Sequence, residues 1–243
     1  MAKTKEPSAS ATPAHCPSCE RRLSCFAHGA DTGALEQLDA AVERRLRLEG
    51  NEYLYRTGDP FRSLYALRSG CLMNSIRDAK GEEQVMGFHL PGDVVGVGGI
   101  GHATYIFDMR ALEPSEVCEV PFERLQELAT RVPALSKNIL RIFGRYRDRD
   151  ARTQSLRRED APETRVAGFL LDFSRRLEER GSDPAKFRLP ISRADIASYL
   201  GLRSADVEVE LTRLNRRGTV AVSEQAMEIK DLPALQSLAA GRG

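Results

Sequence analysis

At 243 residues the chain is long enough for one large or two modest domains with a core that needs no disulfide staples. A net charge of +1 excludes neither acidic nor basic partners, but arginines crowd the second half (RIFGRYRDRDARTQSLRRED, FSRRLEERG, LNRRG), interspersed with Asp and Glu, so a polyanion is permitted there. No run approaches the roughly 18 apolar residues of a membrane span. The N-terminal MAKTKEPSASATPAH has no apolar signal core, and the five cysteines are odd in number, which points to a reducing cytoplasm.

Residues 1–14, rich in Ala, Ser, Thr, Lys and Pro, read as a flexible tail. Next comes HCPSCERRLSCF, which places Cys16, Cys19 and Cys25 in one short polar segment. Sulfur sites for zinc or iron want four ligands, so a fourth must come from elsewhere. Zinc sites usually pair two C-x2-C knuckles, and here there is one knuckle, a five-residue spacer and a third cysteine. From the residues alone an iron–sulfur cluster and a zinc tetrathiolate both stay open. Cys71, beside Gly70 in an apolar segment, reads as a buried small hydrophobe, and His15 and His28 as exposed neighbours without a ligand role.

From Ala34 to Leu48 the residues Leu35, Leu38, Val42 and Leu46 recur at helical spacing, predicting an amphipathic helix that closes on Gly50. Short strand-like segments follow, EYLYRTGDP, SLYALRSGCLMNSIRDAKGEE, QVMGFHLPGDVVGVGGIG, TYIFDMRALEP and SEVCEVPF, separated by glycine turns at near-regular spacing. That pattern predicts an antiparallel sandwich or jelly roll. Alternation in SEVCEVPF puts Val117 and Glu119 on one face and Cys118 on the other, with Val120 outside its set.

The period then becomes helical, with Pro133 breaking a short helix from a long one. Leu135, Ile139, Ile142, Phe143 and Tyr146 form one apolar stripe before the pattern fades into charge, and Val166, Phe169, Leu170, Phe173 and Leu177 predict a further helix ending at Gly181. SDPAKFRLP reads as a linker. In ISRADIASYLGLRSADVEVELTRLNRRG, Ser192 and Asp195 form a capping box, Ile196, Ala197 and Leu200 an inner face, and Gly201 a turn. Ser204 is the expected N-cap of a second helix with Val207, Leu211 and Leu214 at core spacing, stopping at Gly218. Two short helices on a tight turn make a helix-turn-helix, and TVAVSEQAMEIK reads as a two-stranded wing. No nucleophile or acid–base arrangement points to an enzyme.

Cysteine segment, jelly roll, long helix and winged helix in this order, with C-x2-C-x5-C, SLYALRSG, GFHLPGDVVG, VCEVPF and RADIASYLGL, resemble the CRP/FNR superfamily of bacterial transcription regulators. Within it the chain looks like the FNR branch of iron–sulfur oxygen sensors. The resemblance implies an α+β fold: a tail and cysteine segment over 1–30, a β-roll sensor domain over 31–132, a long dimerisation helix over 133–160 and a winged helix-turn-helix over 161–243. It also implies a [4Fe-4S] cluster on Cys16, Cys19, Cys25 and Cys118, the last supplied by the roll. A homodimer when cluster-loaded, a palindromic double-stranded DNA site and RNA polymerase as partner follow from the same resemblance.

The dimer contacts expected by that resemblance are Ile139, Ile142, Phe143, Tyr146 and Asp150, with Arg145, Arg147, Arg149 and Arg152 alternating with Asp148 and Asp150 nearby. The DNA-facing residues expected are Arg203, Ser204, Ala205, Glu208, Val209, Thr212 and Arg213. Where the family carries Glu-x-x-Ser-Arg, this chain has Ala205, Glu208 and Val209, so the arginine that would address a guanine is gone. Asp206, Glu208 and Glu210 place negative charge near the phosphates, offset by Arg203, Arg213, Arg216 and Arg217. A cluster sensor with altered or lost sequence-specific DNA binding is one alternative. Another is a cyclic-nucleotide or small-molecule effector protein, although the region GVGGIGHATYIFDMRAL lacks the Arg-Ser or Arg-Thr phosphate grip and offers only Arg110.

Overall fold

A computed structural model of the chain describes residues 8–9, 15–223 and 225–241. The tail expected over 1–14 lies outside the described residues except for Ser8–Ala9, a two-residue strand (β1) paired with Leu46 and Arg47. The chain divides into two compact units, Met1–Tyr146 and Arg147–Gly243.

The first unit begins with two 3-10 turns, Cys16–Ser18 and Glu20–Leu23, and helix α1, Thr32–Ala41. The Asp31 carboxylate accepts the Ala34 N–H and caps α1. The helix stops well short of Leu48, because Arg44–Leu48 is a strand, β2. In RRLRL the side chains alternate, Leu46 and Leu48 buried and Arg44 and Arg47 exposed, and pairing with a neighbouring strand overrides the helical spacing of the leucines.

Strands β3 (Tyr53–Tyr55), β4 (Ser63–Ser69), β5 (Leu72–Arg77), β6 (Glu83–His89), β7 (Val94–Val95), β8 (Asp108–Ala111) and β9 (Ser115–Pro121) complete an antiparallel roll. They form sheets of order β1-β2-β9-β4-β7 and β3-β8-β5-β6. Leu46, Leu48, Tyr65, Leu67, Val95 and Val117 face inward, where Tyr55, Tyr65 and Tyr105 stack and fill the interior. The other face of the larger sheet is also covered: Leu64, Ala66, Val94 and Val120 pack with Leu35 and Leu38 of α1. Burial on both faces explains the continuous apolar run SLYAL in β4. Cys118 and Val120 share this second face, contrary to the sequence expectation for Val120, because the strand keeps its two-residue period through Pro121.

Helices α2 (Phe122–Arg131) and α3 (Pro133–Arg158) meet at the proline. The apolar stripe of α3 is committed to the chain's own roll. Leu135 and Ile142 are buried in the outer core, with Ile139, Phe143 and Tyr146 packed against it and the Tyr146 hydroxyl donating to the Val94 carbonyl.

The second unit contains the remainder of α3, then α4 (Pro162–Glu178), β10 (Lys186–Arg188), α5 (Arg193–Leu200), α6 (Ser204–Arg216), β11 (Val220–Ser223), β12 (Ala226–Ile229) and α7 (Leu232–Ala239). Val166, Phe169, Leu170 and Phe173 are buried on α4, which packs against α6 and α7. The Ser192 hydroxyl caps α5 by accepting the Asp195 N–H, and Gly201 turns the chain at φ 66°, where any side chain would be strained. Helix α6 is capped by Arg203 rather than Ser204, since Asp206 accepts the Arg203 N–H and draws Ser204 into the first turn. The segment read as a linker supplies β10, so the wing is a three-stranded sheet of order β10-β12-β11. Lys186, Phe187 and Arg188 pair with β12, a partner that the local composition does not reveal.

Candidate metal centre and nucleic-acid interface

The two 3-10 turns curl the cysteine segment so that Cys16, Cys19 and Cys25 border one small apolar cavity of about 30 Å³, whose far wall carries Cys118. Cys118 lies in the middle of β9, opposite Arg45 of β2 and Ala66 of β4. The fold thus brings all four predicted sulfur residues to one place. A zinc ion draws four sulfurs to within about 3.8 Å of one another, given a Zn–S bond of about 2.3 Å. Among the described residues no three His, Cys, Asp or Glu side chains are drawn together closely enough for a single ion. The remaining cysteine, Cys71, is buried at 1% exposure, apart from this cavity.

Burial raises the Cys25 and Cys118 thiols to about 11, and for Cys118 the nearby Arg68 and Arg45 partly oppose the rise. Burial, and after it the Asp39 carboxylate, pushes Cys16 up further. All three are therefore protonated at neutral pH, and a metal taken up here must displace their protons.

Three side chains with no mark in the sequence hold the segment. Asp39 of α1 accepts the Cys16 N–H at 2.9 Å and bonds His15 Nδ1 at 2.9 Å and Arg45 Nη2 at 2.6 Å. Partial burial works against ionisation of Asp39, but these donors outweigh it and keep the carboxyl below its ordinary range. Asn138 of α3, 3% exposed, donates from Nδ2 to the Phe26 carbonyl at 2.9 Å and to the His28 carbonyl at 2.5 Å. Arg145 of α3 donates to the Ser24 carbonyl at 3.2 Å. His15 and His28 are tethers rather than bystanders, because His28 Nδ1 also bonds, to the Leu23 carbonyl. Asn138 lies more than a hundred residues from its partners, so only the folded chain reveals it.

Gly92, in the turn after β6, holds φ 95°, and a Cβ there would come within 2.4 Å of the Ser24 Cβ. Gly92→Ala is expected to cost about 2 kcal/mol from the left-handed backbone and the overlap together. It should also displace the cysteine segment. Faster proteolytic cleavage within residues 15–30, at a lowered melting temperature, would display both effects; unchanged melting and cleavage would refute the contact.

Near the cysteines, Nε of Arg45 and both Nε and Nη2 of Arg141 are buried without a hydrogen-bond partner. Arg45 pairs across from Cys118, and Arg141 interacts electrostatically with Cys25. Buried guanidinium nitrogens are costly unless an anion meets them.

In the second unit, every expected DNA-facing residue, Arg203, Ser204, Ala205, Glu208, Val209, Thr212 and Arg213, is exposed. Val207, Leu211 and Leu214 bury the opposite side of α6. Of the expected dimer contacts, Ile142 is buried and Ile139, Phe143 and Tyr146 are half-buried against the roll, whereas Asp150 is exposed. The large apolar side chain that α3 leaves open is Leu140, 71% exposed. Some of the helix's arginines are engaged within the chain: Arg152 bonds Asp172 at 3.3 Å, and Arg157 donates to the Tyr199 carbonyl at 2.6 Å.

An antiparallel roll with four cysteines bordering one small cavity on its outer face, followed by a winged helix-turn-helix with its second helix open, is the architecture of a DNA-binding regulator. The comparisons agree. Residues 45–131 match the cyclic nucleotide-binding domain family and residues 164–238 the Crp-like helix-turn-helix domain family. The chain is 38% identical over 230 residues to the transcriptional activator protein anr of Pseudomonas aeruginosa, covering 94% of each chain. It is 36% identical over 225 residues to the fumarate and nitrate reduction regulatory protein of Escherichia coli K12, covering 93% of this chain and 90% of that one. FixK2 from Bradyrhizobium japonicum shares the fold, with a TM-score of 0.73 at 24% identity over 80% of this chain and 96% of that one. The chain belongs to the CRP/FNR family of transcription regulators.

Proposed function

We propose that the chain is an oxygen-responsive transcription regulator in which Cys16, Cys19, Cys25 and Cys118 hold a [4Fe-4S] cluster that governs dimerisation and DNA binding. The observation that carries this reading is the convergence of the four thiols on one cavity whose cysteine segment is hydrogen-bonded to α3. The donor set suits the group: four soft sulfur ligands bordering one apolar cavity, the ligand type an iron–sulfur core takes. Arg45 and Arg141 bring positive charge to meet the net negative charge of a tetrathiolate core. When bound, the cluster supplies oxygen-labile iron–sulfur chemistry.

The chain's own residues do the coupling. Asp39 holds the Cys16 end of the segment on α1, while Asn138 and Arg145 hold its Cys25 end on α3. A change of the segment's course therefore reaches α3 directly, through carbonyls that one helix face must either keep or lose. Leu140 is the apolar anchor that α3 offers to a second copy. The working form is then a homodimer in the cytoplasm, placing two α6 helices on the half-sites of a palindrome one helical turn apart, with RNA polymerase as its partner. A nucleotide effector finds less support, since the stacked Tyr55, Tyr65 and Tyr105 occupy the roll interior and Arg110 is engaged by Asn51 at 2.6 Å.

Protein purified without air is expected to carry about four iron and four sulfide per chain, as one [4Fe-4S] core requires. Air should bleach its visible absorption and lower its affinity for DNA in the same period. Background iron and sulfide, or DNA affinity indifferent to air, would sink the reading.

A further inference from the structure

The outward face of α6 presents Ala205, Glu208, Val209 and Thr212 at helical spacing, all exposed, with Val209 at 53%. Among the described residues the arginines beside its first turns are paired, and the exposed Arg216 stands in the last turn, away from the N-terminal turns that meet base edges. Arg203 donates twice to Asp206, at 2.9 and 2.7 Å, Arg213 donates twice to Glu210, at 3.1 and 3.0 Å, and Arg193 of α5 bonds Glu208 at 3.2 Å. The acidic residues that would repel phosphates are thus each matched by an arginine, and those arginines are in turn committed. Reading a guanine edge takes a bidentate Arg or Lys on O6 and N7. Here the positions of the groove-facing turns hold methyl groups, one carboxylate and the Thr212 hydroxyl.

Their chemistry selects other edges. A valine or alanine methyl packs on the C5-methyl of thymine, and a carboxylate accepts from the N4 amino group of cytosine while being repelled by the O6 and N7 acceptors of guanine. Arg193 matters for the second contact. It fixes Glu208 on the side of α5 and cancels the charge that would otherwise oppose the approach of the backbone.

Resting on the reading of α6 as the DNA-facing helix, we propose that this regulator reads its half-site through pyrimidine edges, thymine methyls by Ala205 and Val209 and a cytosine amino group by Glu208 held by Arg193, with no guanine read by α6. The half-site is therefore different from one selected by an arginine at position 209.

The test is selection from a random double-stranded DNA pool by the full chain prepared without air, with Val209→Arg and Glu208→Gln in parallel. The wild-type chain is expected to enrich a palindrome with adjacent thymine and cytosine on the contacted strand. Glu208→Gln should relax the cytosine by about tenfold, and Val209→Arg should introduce a guanine in place of a thymine with a gain of about tenfold. A wild-type half-site whose essential guanine survives both substitutions overturns the proposal and leaves α6 binding DNA. Enrichment by Val209→Arg alone, with a flat wild-type pool, also overturns it, since the wild-type face then reads nothing. Flat pools from all three chains overturn the DNA-facing reading of α6 as well.

Discussion

Replacing Cys118 by alanine is expected to reduce iron and sulfide in anaerobically purified protein at least tenfold while leaving the roll folded. The strand that carries it is held by pairing on both sides, to β2 and β4, and by Val117 and Val120 in the two cores, none of which needs the sulfur. Losing one half-buried sulfur costs about 1 kcal/mol of packing, small beside the stability of a domain. Loading falls for a different reason. The three thiols left on the cysteine segment then face a wall without a donor, and three sulfurs do not complete the site. Cys71→Ala provides the control, because Cys71 is buried away from the cavity and its loss should leave iron content unchanged. Equal iron in the Cys118→Ala and wild-type proteins would remove the strand from the ligand set, and with it the proposed sensor.

Asn138→Ala is expected to separate loading from response. Its amide serves two carbonyls of the cysteine segment from a position only 3% exposed, so alanine leaves one buried and one half-buried acceptor without that donor, a local cost of about 1–3 kcal/mol. The four cysteines and the Asp39 tether are untouched, so iron content should stay close to wild type. The link between the segment and α3 is weakened, keeping the Arg145 contact with Ser24 and the electrostatic contact of Arg141 with Cys25. Sedimentation before and after exposure to air should show a markedly smaller change in the monomer–dimer balance than the wild-type chain shows. An identical shift would show that the amide is mere packing and that the signal takes another route.

Much of the architecture is legible in the residues because it rests on local rules. Glycine turns at regular spacing announce the roll, Pro133 divides α2 from α3, and the Ser192 cap with the Gly201 turn marks the helix-turn-helix. The failures share one cause. Arg44–Leu48 carries leucines that suit a helix and a strand alike, and only β9 alongside decides for the strand. Lys186–Arg188 looks like a linker until β12 pairs with it. The stripe of α3 is visible as apolar, but periodicity cannot say whether the chain's own roll or a second copy covers it; the roll takes Ile142 and leaves Leu140 outside.

Three cysteines at C-x2-C-x5-C spacing, a carboxylate and methyl groups where a recognition helix would carry an arginine, and the order of roll, long helix and winged helix are readable from the residues alone. Local spacing and side-chain chemistry are enough for these, since each depends on neighbours within a turn or two of chain. Only the folded chain settles which strand faces the cysteines and how Asp39 and Asn138 clamp their segment. Those are pairings across tens to more than a hundred residues, set by which buried polar groups can find partners once the cores have closed, and no window of sequence contains both members.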